Sequence, residues 1–413
     1  MLFGFGARAL GQANAFTARA SDASAIRHNP AGLVHLAGTQ FYIGGSGFHH
    51  NPQISSGIFG GTYTSDNGLV MSPHLSVTHR LSERIGLGLS FSALSNYYQN
   101  WGDEPSASNP VPRDASYLRI RAYAISPAVA LNLGGGFSIG GGLHYVMSSL
   151  QLRTWESEGL NDLLSDKTGL PVEPIFVSPL YTLSGNGIAF FGGIQWRVSP
   201  NAALGFSYHG GSGLASDGRL EFNLPAIGVA ALDAGLAEMF PDQDLTGRIQ
   251  STVDQLSFGA SIDLGTRIEL EADLSLRLWS QLKPWTTTVS RPTSVSGVDV
   301  VSDERIEFNW NNAAGIRLGG EYHLGRSYDV RAGIFFDRSP IPGRYLVSVI
   351  PDSDRLGVCL GFGYRKNNLL IDIAAARIFS GARDEANVYQ FVYDMQLNET
   401  RGFLLALSLG WQL

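Results

Sequence analysis

Several residue groupings in this chain invite a chemical reading. His74 and Ser76 lie two residues apart, so on an extended chain they share a face, as a general base and a serine nucleophile would have to. No third residue that could orient the histidine stands out by spacing, which leaves a hydrolase reading on that pair alone. His49 and His50 could begin a metal site, yet no cysteine or carboxylate cluster accompanies them, and a solvated loop is the simpler account. The sequence therefore calls for no metal, no cofactor and no catalytic group. Charge recurs at period two instead: Glu269, Glu271 and Asp273 share one face, and Arg119 and Arg121 share another with Tyr117 and Tyr123. The expectation is that both sets face a lumen and pair with each other as salt bridges.

The elements that carry these charges are strands. In 268–278, Ile268, Leu270, Ala272, Leu274, Leu276 and Leu278 oppose Glu269, Glu271, Asp273, Ser275 and Arg277. That gives an apolar face roughly 20 Å tall backed by a charged one, as in a strand separating lipid from an aqueous lumen. Alternation recurs at 305–322, 328–337, 355–365 and 403–411. Trp279, Trp310, Tyr322, Tyr364 and Trp411 sit near the ends of apolar faces, where an interfacial girdle is expected. The charge-free stretch from Ala122 to Leu152 is broken by Pro127, Asn132 and glycines 134–136, so it predicts a hairpin rather than a spanning helix. A net charge of −7 argues against nucleic acid as a partner, and the single Cys359 excludes an intrachain disulfide framework.

Strands are expected near 40–48, 69–80, 85–95, 116–131, 136–152, 186–198, 202–222, 250–264, 268–281, 305–323, 328–338, 355–366, 369–379 and 401–412. About fourteen strands, with connections alternating between tight turns and long loops, make an all-β antiparallel transmembrane barrel with periplasmic turns and extracellular loops. Residues 1–39 do not alternate: Ala7 to Phe16 is alanine-rich, Ser21 or Asp22 can cap a helix, and Asn29-Pro30 stops it. The expected division is a small helical plug over 1–39 and a barrel over 40–413. The first residues lack the pattern of an export signal, so a signal peptide and further plug residues are expected upstream. The third and fourth long loops are unusually apolar, with Trp155, Leu160, Leu163 and Leu164 in one and Ile227, Leu232, Leu236, Met239 and Phe240 in the other. Such surface marks a binding site, or two loops that pack on each other as a lid.

The segment Gly6-Ala7-Arg8-Ala9-Leu10-Gly11-Gln12-Ala13, followed by Arg27-His28-Asn29-Pro30-Ala31-Gly32-Leu33, resembles the plug, or hatch, of the FadL/TodX family of outer-membrane transporters of long-chain fatty acids and hydrophobic compounds. Asn29, Pro30 and Ala31 are its most recognisable part. Arg331 to Pro342 and Ile350 to Arg355 are similar to the family's signature near its penultimate extracellular loop. The resemblance implies a fourteen-stranded barrel in the bacterial outer membrane that takes up hydrophobic small molecules passively. It implies a capture groove between loops three and four, a lumen pocket near the hatch, and release by movement of the hatch or through the wall. Arg153 matches a basic position that can meet a fatty-acid carboxylate, whereas the second such position is Asn311 here. Ser95, Asn96 and Tyr97 are similar to a region beside an inward kink of the third strand. Trp411 stands in for the family's terminal aromatic assembly signal. The implied partners are a fatty acid or hydrocarbon ligand, outer-membrane lipid and lipopolysaccharide, and the barrel assembly machinery, with the protein a monomer. The alternatives are a water-filled porin for polar solutes and a barrel lipid hydrolase.

Overall fold

The computed structural model describes residues 5–56, 61–102, 116–154, 177–295, 298–385 and 395–413. Fourteen antiparallel strands close on themselves. They are β1 (Thr39–His49), β2 (Val70–Ser82), β3 (Ile85–Asn100), β4 (Tyr117–Gly134), β5 (Phe137–Arg153), β6 (Ser178–Ser199), β7 (Ala202–His209 and Ser212–Asn223), β8 (Gln243–Thr252 and Gln255–Leu264), β9 (Ile268–Arg277, then Trp285–Val289), β10 (Glu304–Ile306, then Ala313–Leu324), β11 (Tyr328–Asp337), β12 (Arg355–Lys366), β13 (Leu369–Ser380) and β14 (Thr400–Gln412). Closure is made by β1, where Phe41 pairs with Val77 of β2 on one side and with Trp411 of β14 on the other. Closure leaves the sheet without a free edge strand, the condition for it to stand in lipid.

The period-two reading holds in the lower half of the wall, next to the short turns. On β9, Ile268, Leu270 and Leu274 are exposed, while Glu271, Asp273 and Ser275 are buried inside. On β12 and β14, Leu356, Val358, Leu360, Leu405, Leu407 and Leu409 face outward, and Cys359 and Ser408 inward. Tyr322, Tyr328, Trp196 and Trp411 are outward aromatics close to the short turns, and Phe137 stacks on Trp196 at 5.0 Å, so one girdle lies where expected.

In the upper half the interior becomes apolar. Leu118, Ile120, Val146, Leu150, Leu183, Leu220 and Ile249 form one buried cluster inside the strands. Two expectations fail here. Arg119 and Arg121 share the odd-numbered face of β4 with the exposed Ile125, Val129 and Leu131, so they lie on the outside, and Arg119 stacks over Tyr98 at 5.7 Å. Trp279 and Trp310 point inward, their rings 5.3 Å apart, because the chain leaves the ladder at both places. After Leu278 it turns through a short 3-10 segment, and residues 307–312 lie outside the ladder with Asn309 at φ +45°. Each excursion breaks the alternation, so the side-chain parity is lost. The wall also rises higher than the sequence pattern indicates: β6 begins at Ser178, so Leu180 pairs with Arg153 rather than lying in a loop.

Candidate functional site

The N-terminal segment lies inside the barrel at the short-turn end. It contains α1 (Ala7–Gly11), α2 (Ala25–His28) and a 3-10 turn at Pro30–His35. The wall makes room for it with glycines. Gly86, Gly140, Gly193, Gly205, Gly259, Gly319, Gly333 and Gly361 come from eight strands, lie close to the short turns and press against its backbone or side chains. A Cβ on Gly140 would sit 2.5 Å from the carbonyl carbon of Pro30, and one on Gly333 would sit 2.6 Å from that of Gln12. These positions pack backbone against backbone, a distance only glycine allows.

Asn29 fastens the α2 end. Its Nδ2 donates to the carbonyls of Thr17 (2.8 Å) and of Ile194 on β6 (3.0 Å), and its Oδ1 accepts from the N–H of Ala31 (3.1 Å). Pro30 opens the 3-10 turn at the position where a missing N–H costs nothing, and both Pro30 and Ala31 are buried against β5. Asp22, rather than capping α2 directly, accepts from the N–H of Ser24 at 2.8 Å.

The opposite side of the segment is held by charge. Arg8 donates from Nε and Nη2 to the two oxygens of Glu321, each at 3.0 Å. Arg19 reaches Asp263 at 2.7 Å and Glu269 at 3.1 Å. Glu271 accepts from the N–H of Ala18, and Asp273 accepts from the N–H groups of Phe16 and Thr17 and the Thr17 hydroxyl. Arg331, 1% exposed, ties Glu321 to Asp372. The acidic row of β9 is therefore filled by the plug and by β10–β11, not by Arg119 and Arg121. Glu269, Glu321 and His323 converge as metal ligands would, but arginines already occupy their oxygens.

Above the segment lies a partly open cavity. Its apolar wall comprises Leu94, Ile120, Val253, Leu282, Ile341, Ile350 and three tryptophans, Trp279, Trp285 and Trp310. Ser95 and Tyr97 of β3 also line it, and the Tyr97 hydroxyl donates to the carbonyl of Val349 at 2.9 Å. At the base stand His144, His209, Gln255, Arg277 and, from α2, Arg27. His144 links Ser126 (2.7 Å) to His209 (3.3 Å), but Ser126 is fully buried and does not line the cavity.

The wall is incomplete beside this cavity. Pairing of β2 with β3 runs from Ser82 opposite Ile85 up to His74 opposite Ser92 and stops, although β2 continues to Val70 and β3 to Asn100. Two features account for the gap. Leu94 is an extra residue in β3, since Ala93 pairs with Tyr123 and Ser95 with Ala122, and this bulge bends the strand away. Pro73 on β2 has no N–H to offer. One side-chain bond spans the gap, from Asn96 Nδ2 to the carbonyl of Met71 at 2.7 Å.

The remaining sequence-derived site residues are spread more widely. Arg153 ends β5 with its guanidinium over the Tyr117 ring at 5.8 Å. Trp155, Leu160, Leu163 and Leu164 fall outside the described residues. In the fourth loop, α3 (Ala230–Met239) packs on the upper interior cluster: Leu236 and Phe240 are buried in it, and Ile227, Leu232 and Met239 rest partly buried against it. None of these five is among the side chains lining the cavity. The sequence reading did not single out Arg27, His144, His209 or Trp285. Of these, His144 carried a signal, as a polar residue at an inward position within the charge-free 122–152 stretch.

Burial lowers the His28 imidazole to about 4, and its Nε2–H donates to the carbonyl of Phe5 at 2.9 Å. Burial, and then the charge of Arg277, lowers the Arg27 guanidinium to about 10.

Comparison with known proteins agrees with this architecture. Residues 1–394 match the model of the outer membrane protein transport protein family (OMPP1/FadL/TodX). An outer membrane protein of Neisseria meningitidis serogroup B is 23% identical over 397 residues, covering 89% of this chain and 82% of the relative. Among solved structures, a FadL homologue from Pseudomonas aeruginosa superposes with a TM-score of 0.81 at 19% identity, covering 100% of this chain and 99% of the other. The toluene transporter TbuX of Ralstonia pickettii gives 0.71 at 16% identity, with the same coverage.

Proposed function

The chain belongs to the OMPP1/FadL/TodX family of outer membrane transport proteins, and on that premise we propose that it carries hydrophobic small molecules passively across the bacterial outer membrane. The observation that carries this reading is a tryptophan-lined cavity closed below by the N-terminal segment and lined on one side by Leu94, Ser95 and Tyr97 of β3, where pairing of β3 with β2 has stopped. A ligand is captured outside by the apolar surface of loops three and four, where Arg153 and α3 sit, and passes into the cavity. Residues 1–39 act as the hatch that stops water and solutes from passing straight down. Ser95, Asn96 and Tyr97 border the exit, so the ligand leaves into lipid between β2 and β3. The energy comes from transfer of apolar surface out of water, about 25 cal/mol per Å², and no covalent step is involved.

The three cavity tryptophans provide the test. A brominated hydrocarbon or fatty acid should quench the fluorescence of the purified protein with saturable binding, and planar bilayers should show little conductance. Large steady conductance would favour a water-filled porin for polar solutes. Turnover of lipid esters by the pure protein would favour a barrel hydrolase. Absence of saturable quenching would remove the cavity from the mechanism.

A further inference from the structure

A second, polar cavity lies beneath the first, lined by Phe5, Asn14, His28 and Asp273 among others. Arg27, His209, Gln255 and Arg277 line both cavities, so they form the partition between them. The partition is cationic and short of counter-charge. Among the described residues, the Arg27 guanidinium makes no hydrogen bond or ion pair within the protein, although its backbone N–H donates to the Ser24 carbonyl at 2.9 Å. Arg277 reaches Asp337 only at 3.8 Å and Gln255 at 3.3 Å. Around the whole upper cavity stand four arginines and one aspartate, Asp352, which is already paired with Arg355 at 2.9 Å. Two guanidinium groups facing one apolar cavity are costly to keep without an anion between them.

We propose that Arg27 and Arg277 are a binding site for the anionic head of an amphiphilic ligand, which lies head down on the partition with its apolar tail among the tryptophans. This rests on the cavity being the ligand site. Arg27 belongs to α2, two residues before Asn29, so the ligand head touches the hatch itself while its tail touches the wall. A neutral hydrocarbon would occupy the upper part alone and leave the arginines without a counter-ion.

The test compares dodecanoate with its methyl ester, both carrying bromine on the tail, by quenching of the purified protein in amphipol. Arg27→Gln should weaken dodecanoate on the order of ten- to a hundred-fold, the range of a lost charge-assisted hydrogen bond, and leave the ester within about two-fold. Arg27→Lys should restore most of the affinity for the acid. Arg277→Gln should act in the same direction, and bromine moved next to the carboxylate should quench less than bromine at the tail. Equal affinities of wild type and Arg27→Gln for dodecanoate would overturn the proposal, as would equal losses for acid and ester. If neither compound quenches the wild-type protein saturably, it is the cavity reading that fails, and the two failures are thereby separated.

Discussion

Replacing Asn29 by alanine removes one side chain and three buried hydrogen bonds, to Thr17, Ile194 and Ala31 at 2.8, 3.0 and 3.1 Å. A net value of about 0.5–1.5 kcal/mol per bond gives roughly 1.5–4.5 kcal/mol. The two carbonyls and the N–H left behind are enclosed, which favours the upper part of that range. Because the bonds join the hatch to itself and to β6, the cost falls on hatch docking and not on closure of the barrel. Local opening should therefore rise by about one to three powers of ten, each about 1.4 kcal/mol. Amide hydrogen exchange in lipid vesicles reads this directly: residues 5–36 should lose protection while β4–β6 keep theirs, the barrel should remain heat-modifiable, and ligand uptake should fall. Unchanged exchange over residues 5–36 would refute the assignment of Asn29 as the fastening residue. Loss of protection across the whole barrel would refute the separation of hatch from wall.

Gly140→Val places a side chain where Pro30 stands, so it should displace the 3-10 turn and raise protease cleavage within 25–36, whereas Gly135→Ala in the exposed turn should leave cleavage unchanged. For the pH response, the His28 imidazole is held at about 4 against an ordinary value near 6.5. Its contribution to docking is therefore complete above pH 6.5 and is lost as pH falls towards 4, so exchange of residues 5–36 should accelerate over that window; His28→Gln should reduce the response, and His35, which burial also lowers to about 4, should supply part of what remains. Deleting Leu94 together with Pro73→Thr removes both causes of the gap and lets β3 pair with β2 above His74, so binding to the cavity should persist while delivery to the bilayer falls; undiminished delivery would place the exit elsewhere.

Much of the barrel was legible because a wall with lipid on one side and water on the other imposes period two over its whole lower half, and that period reads directly from sequence. Trp279 and Trp310 were assigned to the wrong face because the excursions after Leu278 and at Asn309 break the alternation, and neither is marked by a residue that must do so. Arg119 and Arg121 misled for a different reason: in the upper half of the wall the inner face is an apolar buried cluster and the outer face carries the arginines, so polarity reverses while geometry does not. The hatch was legible through its small residues and the Asn-Pro step. Its partners were not, since Arg8 meets Glu321 and Thr17 meets Asp273 across more than two hundred residues of chain. The bulge at Leu94 leaves no trace in composition and was located only by resemblance.

Two exits can be compared for the proposed ligand above the partition by the contacts that each would break. Going down requires the hatch to leave β9–β10. The bonds of Arg8 and Arg19 and those received by Glu271 and Asp273 from residues 16–18 are eight charge-assisted contacts, about 12–24 kcal/mol at 1.5–3 kcal/mol each. A ligand burying about 300 Å² of apolar surface gains about 7.5 kcal/mol at 25 cal/mol per Å², too little to offset that loss. On the proposed lateral route, one side-chain bond among the described residues, from Asn96 to Met71, joins the unpaired parts of β2 and β3, worth about 1 kcal/mol, and the ligand's apolar surface would pass from the cavity into lipid without returning to water. The α2 side of the N-terminal segment, held by Asn29 and by glycine contacts without ion pairs among the described residues, is the part with fewer charged contacts to break, and it carries Arg27. The charged side is thereby the fixed edge, so that ligand contact at the partition can loosen the hatch without expelling it.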